Sequence, residues 1–283
     1  MTRVELPPQL VEDARAYADG SREPAEPRNA ATVVLLRKGP DGPDVYLLRR
    51  QVSMAFAGGM CVFPGGGVDP RDFDHATGWA GPSPREWAEQ LGTDEATARA
   101  LVCAAVRETF EESGVLLAGE SVDTVVADTT GEDWEADRAA LEARELAFTE
   151  FLDRRGLVLR TDLLGAWAGW LTPVFEPRRY RTWFFVADLP EGQRTRDVST
   201  ESDQVAWLPA MQAVRDVEAE QIFMLPPTYL TCLEIGGYAD PAAVLDAAQV
   251  RTVEMFMPQV EEHDEGATLS IPDRLAGLLE SRR

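Results

Sequence analysis

A run of β-branched and aliphatic residues, Thr32-Val33-Val34-Leu35-Leu36, is the first strong pattern along the chain. The turn-forming stretch Gly39-Pro40-Asp41-Gly42-Pro43 follows, then a second apolar run, Val45-Tyr46-Leu47-Leu48; two such runs around such a turn predict a β-hairpin. A third short strand is expected at Met60–Phe63, bracketed by Gly58-Gly59 and Pro64-Gly65-Gly66-Gly67. Residues 1–30 are polar, with Pro24 and Pro27, and read as a helix plus a linker. Residues 70–98 are polar and interrupted by Gly78, Gly81, Pro82, Pro84 and Gly92, with aromatic positions at Phe73, Trp79 and Trp87; they read as an inserted lobe.

Helix formers run without Gly or Pro from Thr97 to Glu112 and stop at Gly114, as a helix C-terminus does. A second helix is predicted over Asp137–Arg154, with Leu141, Phe148 and Leu152 on one face, and strands at 157–159, 167–171, 183–187 and 205–208. Short strands beside helices, without regular alternation, indicate an α+β chain built as an α/β/α sandwich with a mixed sheet. From about Pro209 the chain reads as mostly helical, with an acidic break at 261–266. The expected organisation is an N-terminal helix and linker (1–30), a main domain (31–217) carrying an insertion at about 70–98, and a helical C-terminal extension (218–283) packed on that domain.

Charge narrows the chemistry. The 283 residues hold 27 Lys and Arg against 49 Asp and Glu, a net charge of −22. Such a field repels phosphate backbones, so nucleic acid is not an expected partner, and an anionic substrate needs local arginines or a divalent cation. Only His75 and His263, and the separated Cys61, Cys103 and Cys232, are present, which argues against zinc fingers and disulfide scaffolds and suits a reducing compartment. The histidines read as surface residues and the cysteines as small core residues. No apolar run approaches membrane-spanning length, Met1–Glu12 lacks a signal-peptide core, and Ser281-Arg282-Arg283 is not a peroxisomal address. The expectation is a cytoplasmic protein with no membrane partner.

The most informative segment is Arg107-Glu108-Thr109-Phe110-Glu111-Glu112-Ser113-Gly114-Val115. At about 100° per residue, Ala98, Leu101, Val102, Ala105 and Thr109 share an arc of roughly 100°; Glu112 falls inside it, Glu108 beside it and Glu111 a little further round. Three carboxylates this close need a cation. Arg107 can neutralise one at the i,i+4 spacing, and the remainder is the hard oxygen environment that Mg²⁺ or Mn²⁺ prefers. The competing reading is a solvated acidic helix face, although acids at a helix C-terminus oppose the macrodipole.

These residues resemble the Nudix hydrolase family, whose box runs Gly, five residues, Glu, seven residues, then Arg-Glu-apolar-X-Glu-Glu-X-Gly-apolar. Arg107–Val115 matches it with Thr109 at the apolar place, and Phe63-Pro64-Gly65-Gly66-Gly67-Val68-Asp69 matches the preceding loop. Gly67 stands 40 residues before Arg107, so about 26 residues interrupt the box, and the position of its first Glu holds Arg99. The partner of Arg107 is then absent, or is supplied by Glu95 or the inserted lobe. An interrupted box is similar to the branch that includes peroxisomal coenzyme A diphosphatases. Leu48–Met54 with Gly59–Asp69 resembles a loose coenzyme A signature, and 170–173, 178–185 and 225–228 are similar to segments of that branch.

The resemblance implies a Nudix-like fold and Mg²⁺- or Mn²⁺-dependent hydrolysis of a nucleoside diphosphate linked to another group, with coenzyme A or acyl-coenzyme A favoured. It implies Glu108 and Glu112 as principal metal ligands, Glu111 assisting, and a glycine carbonyl at Gly66. Arg107, Glu108, Glu111 and Glu201 are the expected catalytic set, with the general base left open among the acids. Arg49, Arg50, Arg178 and Arg179 are candidates for the substrate phosphates, with surface charge as the alternative. Trp79 and Trp87 either pack the insertion or form a lid. The competing functions are an ADP-ribose, nucleotide-sugar or dinucleotide pyrophosphatase, and a non-catalytic nucleotide sensor, for which Arg99 is the best argument. The partner in each case is a small-molecule nucleotide diphosphate, and a homodimer is one open assembly.

Overall fold

A computed structural model describes residues 6–54, 57–74, 78–264 and 266–282; His75 lies outside them. After α1 (Pro8–Ala18), the runs predicted as a hairpin form β1 (Arg28–Gly39) and β2 (Gly42–Arg50), antiparallel, with Gly39 paired to Gly42 across the turn. Gly42 takes φ +120, where a side chain is strained. Then come β3 (Cys61–Val62), β4 (Gly65–Gly67), a 3-10 turn (Pro70–Phe73), β5 (Gly78–Ala80), α2 (Pro84–Leu91), α3 (Glu95–Ser113) and β6 (Ala118–Gly119). They are followed by α4 (Glu132–Glu142), α5 (Phe148–Arg155), β7 (Val158–Arg160), β8 (Leu164–Leu171), β9 (Tyr180–Asp188) and β10 (Ser202–Pro209). The chain continues through α6 (Ala210–Glu218), α7 (Pro226–Ile235), α8 (Pro241–Gln249), β11 (Met255–Phe256), β12 (Val260–His263), β13 (Gly266–Leu269) and α9 (Asp273–Glu280).

The central sheet has the order β10-β2-β1-β9-β8-β11, with β3 on β2 and β4 on β1. It is mixed: β1 and β9 run parallel from Arg28↔Tyr180 to Leu36↔Asp188, while β2, β10 and β8 join antiparallel. Val33–Leu36 are all fully buried because both faces of β1 are covered, which is why this strand reads as a continuous apolar run. Val33, Leu35, Tyr46, Leu48 and Phe185 face α2, α3 and α5. Val34, Leu36, Val45, Leu47 and Phe184 face α6 to α9. The result is the three-layered α+β sandwich expected from the pattern.

Within 70–98 the described residues add no strand to the central sheet; β5 pairs with β7 in a separate sheet, β5-β7-β6. Trp87 is buried against Phe185, with ring centroids 5.8 Å apart, and the Trp183 indole donates to the Leu91 carbonyl at 2.9 Å. Trp79 donates to the Pro82 carbonyl at 2.6 Å. The insertion is therefore built into the core, and its tryptophans pack.

The predicted helix over Asp137–Arg154 is instead two, α4 and α5, divided at 143–147. Arg144 sits there at φ 60, a left-handed turn that neither Gly nor Pro announces in the sequence. The strand predicted at 157–159 belongs to the small sheet rather than the central one. Strands also accompany the helices of the C-terminal segment: β11 runs parallel to β8 at the sheet edge, and β12 and β13 form a hairpin across the acidic break, with His263 exposed.

Candidate active site

α3 starts where Asp94 accepts the Thr97 N–H at 2.9 Å and ends where Gly114 adopts φ +73. Its C-terminal turn carries Arg107, Glu108, Glu111 and Glu112, and β4 lies against it. The Gly65 N–H donates to Glu112 Oε2 at 2.8 Å. A Cβ on Gly66 would collide with the Glu108 carboxylate and push that acid aside. Thr109 fills the apolar place without an orphaned hydroxyl, because its Oγ1 donates to the Ala105 carbonyl at 2.8 Å.

Arg107 organises the cluster. Its Nη1 reaches Glu108 Oε1 at 2.8 Å and Glu111 Oε1 at 3.2 Å, and its Nη2 donates to the Gly67 carbonyl at 3.0 Å. Its remaining edge binds Asp72 with two bonds, Nε to Oδ1 at 3.1 Å and Nη2 to Oδ2 at 3.0 Å. Asp72 is thus the partner that Arg99 could not be, and Glu95 stands exposed without that role. The signal was present: five residues separate Gly66 from Asp72, the spacing of the box glycine from its acid. Counting back from Arg107 across the insertion concealed it. Asp69 caps the 3-10 turn that presents Asp72, accepting the Arg71 N–H at 2.8 Å, while Asp72 Oδ2 accepts the Asp69 N–H at 2.8 Å. Arg99 anchors the insertion instead, donating to the Asp74 carbonyl at 3.1 Å and lying 4.9 Å from the Trp79 ring centre.

The acids are buried and crowded. Burial, reinforced by the Glu108 charge, pushes Glu111 up to about 7 against the pull of Arg107, and the same two causes raise Glu112 well above the carboxylate range. Burial also raises Glu108 and Asp72, with Arg107 opposing it in both. Burial works against the Arg107 charge, but Glu108 and Asp72 outweigh it and keep the guanidinium charged.

Second-rank contacts come from α4. Arg138, buried, donates to the Glu111 carbonyl at 2.7 Å and brings positive charge to the α3 C-terminus. It also bonds Glu142 Oε2 at 3.0 Å, and Glu142 Oε1 accepts the Thr200 N–H at 2.8 Å. This chain fixes the loop bearing Glu201. The i,i+4 spacing of Arg138 and Glu142 is legible as a pair on α4, but their reach to the Glu111 carbonyl and to Thr200 is not, because those partners lie on other elements.

Glu108, Glu111, Glu112, Arg107 and Glu201 line one cavity of about 100 Å³, together with Asp69, Arg71, Glu142 and Arg144. Arg50 faces the same side: its Nη2 meets Glu201 Oε2 at 2.9 Å, and its buried Nε has no hydrogen-bond partner. The other three predicted arginines stand elsewhere. Arg49 alternates to the opposite face of β2 and binds Asp203 at 2.6 Å, which ties β2 to β10. Arg179 is buried and donates to the Thr172 and Ala25 carbonyls at 3.0 and 2.9 Å. Arg178 is exposed and does not line the cavity.

Among the described residues, no three His, Cys, Asp or Glu side chains converge tightly enough to enclose a metal by themselves. Mg²⁺ does not require that: it takes one or two carboxylates and completes its shell with water and substrate phosphates. The donors fit such an ion, being hard carboxylate oxygens of Glu108, Glu111 and Glu112 whose mutual repulsion a cation would relieve, set beside a backbone cleared of side chains at Gly66. Among the described residues no helix is long and apolar enough to cross a membrane.

The family described as the NUDT19 Nudix domain matches residues 83–234, more than half of the chain. That span includes Arg107–Glu112 and Glu201, while Gly65–Gly67 and Asp72 precede it. The acyl-coenzyme A diphosphatase NUDT19 of Xenopus laevis is 23% identical over 267 residues, covering 81% of this chain and 70% of that protein. The protein of the same name from Gallus gallus is 26% identical over 255 residues, covering 71% of this chain and 66% of that one, just under two thirds of its length. The crystal structure of a NUDIX hydrolase from Alicyclobacillus acidocaldarius is 25% identical, covers 81% of this chain and 99% of its own, and superposes with a TM-score of 0.66.

Proposed function

Because the chain belongs to the NUDT19 Nudix domain family of Nudix hydrolases, we propose that it hydrolyses the diphosphate of coenzyme A or an acyl-coenzyme A. The observation that carries the chemistry is the buried cluster of Glu108, Glu111 and Glu112, held by Arg107 and roofed by the glycines of β4. The substrate class draws its support from the acyl-coenzyme A diphosphatases to which the chain is similar. Asp72 removes the main argument for a non-catalytic sensor, since the box arginine keeps its acidic partner despite Arg99. Three buried thiols, Cys61, Cys103 and Cys232, accord with a cytoplasmic setting.

In this reading Glu108, Glu111, Glu112 and the Gly66 carbonyl hold Mg²⁺ or Mn²⁺, which supplies neutralisation of the diphosphate and activation of water when bound. Arg107 holds Glu108 and Glu111 in position and withholds their charge from one another. Glu201 lines the same cavity and takes the proton of the attacking water, while Arg50 steadies Glu201 through its Nη2. Water oxygen bonds to one phosphorus as the bridging P–O bond breaks, giving adenosine 3′,5′-bisphosphate and a phosphopantetheine from coenzyme A. The test is a hydrolysis screen with Mg²⁺ and with Mn²⁺ over coenzyme A, an acyl-coenzyme A, ADP-ribose, a nucleotide sugar and a dinucleotide. Preferred turnover of the coenzyme A compounds is expected. A preference for ADP-ribose would overturn the substrate, and no turnover of any of them would overturn the chemistry.

A further inference from the structure

Three arginines line the acidic cavity, and their surroundings differ. Arg107 is committed to Asp72, Glu108, Glu111 and the Gly67 carbonyl. Arg71 grips Asp69 with two bonds, Nε to Oδ1 at 2.9 Å and Nη2 to Oδ2 at 3.0 Å. Arg144 has no carboxylate partner among the described residues, although it lines a cavity walled by Glu108, Glu111, Glu112, Glu142 and Glu201. In a chain of net charge −22, an arginine that lines an acidic cavity without a carboxylate partner among the described residues is notable.

Its backbone is equally unusual. Arg144 occupies φ 60 between α4 and α5, a conformation that favours glycine, and holds it through its N–H to the Leu141 carbonyl at 2.8 Å. Its own carbonyl accepts Arg71 Nη1 at 3.2 Å, which fastens this turn to the segment that presents Asp72. Strain of this kind persists where the surrounding structure enforces it, and is concentrated at sites that bind or react.

We propose that Arg144 is the substrate's phosphate ligand at the mouth of this cavity, a specificity-determining residue supplied by the α4–α5 turn. The inference rests on the diphosphate reading and goes beyond it by assigning a recognition residue outside the box. An anion entering this cavity meets a lining rich in carboxylates, and of the three arginines that line it Arg144 is the one without a carboxylate partner among the described residues. Either the bridging diphosphate or the 3′-phosphate of coenzyme A presents the required oxygens.

Arg144→Gly separates recognition from folding, because glycine adopts the left-handed turn without strain. Calorimetric binding and steady-state turnover of coenzyme A, 3′-dephospho-coenzyme A and ADP-ribose are measured on wild type, Arg144→Gly and Arg144→Lys, with a thermal melt of each. Arg144→Gly is expected to raise Kd and KM roughly tenfold, leave kcat within about threefold and not lower Tm, with Arg144→Lys recovering part of the loss. Weakening for all three ligands assigns the contact to the diphosphate; weakening for coenzyme A alone assigns it to the 3′-phosphate. Unchanged Kd and KM in Arg144→Gly overturn the proposal, as does a lower kcat accompanied by a lower Tm. Arg144-dependent binding without wild-type turnover would overturn the hydrolase reading and leave this one supported.

Discussion

Arg107 and Asp72 meet edge to edge, through bonds of 3.1 and 3.0 Å, across 35 residues of sequence. Both are buried, and Asp72 takes the carboxylate half of a pair that an uninterrupted box makes within one local segment. Removing Asp72 strips two charge-assisted bonds from a buried guanidinium that keeps only Glu108 and Glu111 as acidic partners. Asp72→Ala is therefore expected to destabilise the protein by about 3 kcal/mol. Glu95→Ala, at an exposed position, should stay within about 0.5 kcal/mol. Urea unfolding of the two variants checks this; equal effects would remove Asp72 from the role.

Glu112→Gln tests the proposed metal-binding role of the carboxylate cluster. The amide oxygen can still accept the Gly65 N–H, so the fold should persist, while the loss of one anionic donor lowers turnover by at least about 100-fold. In excess chelator the variant should melt at or above wild type, because burial and Glu108 both disfavour an ionised carboxyl at this position and the amide has none to neutralise. Wild type should lose turnover in chelator and regain it with Mg²⁺ or Mn²⁺. Full activity in Glu112→Gln would exclude the assignment.

Glu142 positions Glu201 without standing in the box. Glu142→Ala frees the Thr200 N–H and hydroxyl, both of which donate to Glu142 Oε1, and loosens the loop. The expected result is kcat reduced roughly tenfold with KM changed far less, a split that general destabilisation does not produce. Steady-state kinetics on coenzyme A, with Glu142→Gln as the conservative control, reads it directly.

The segment presenting Asp72 carries a pH signature. Arg71, through its side-chain hydrogen bonds, holds Asp69 down at about 2. A carboxyl depressed in the folded state stabilises fully above its ordinary value near 4, and that contribution disappears as pH falls through about 2. Asp69→Asn should therefore show a shallower loss of Tm than wild type between pH 5 and pH 2, on the order of those two values. Parallel melting curves for the two proteins would remove Asp69 as the cause.

Trp87 tests whether the insertion is core. Trp87→Ala should cost about 3–5 kcal/mol, since the indole is buried against Phe185. Turnover per folded molecule should remain within about threefold, because Trp87 does not line the cavity. A stable variant with a changed KM would identify a lid instead.

The legible parts of the chain were those with local causes. The hairpin could be read because turn chemistry at 39–43 separates two apolar runs, and the end of α3 because Gly114 closes an uninterrupted helical stretch. The glutamates stood out because spacings of three and four put them together without tertiary information. Asp72 was hidden by a count made from the wrong side of the insertion. The break between α4 and α5 was hidden because Arg144 makes a left-handed turn with no glycine to mark it. Arg49 and Arg50 are adjacent in sequence, but strand alternation sends one to Asp203 and the other to Glu201, a distinction that becomes decisive only once the faces of β2 are known.

The reach from Asp72 to Arg107 also dictates an order of events during folding. Bringing together groups 35 residues apart, rather than the eight of an uninterrupted box, adds about 1.3 kcal/mol of closure entropy. Until then Arg107 has only the neighbouring glutamates of its own helix for company. The box is therefore expected to consolidate late. Its residues contribute little to the rate-limiting assembly of the sheet, and substitutions there should accelerate unfolding far more than they slow folding.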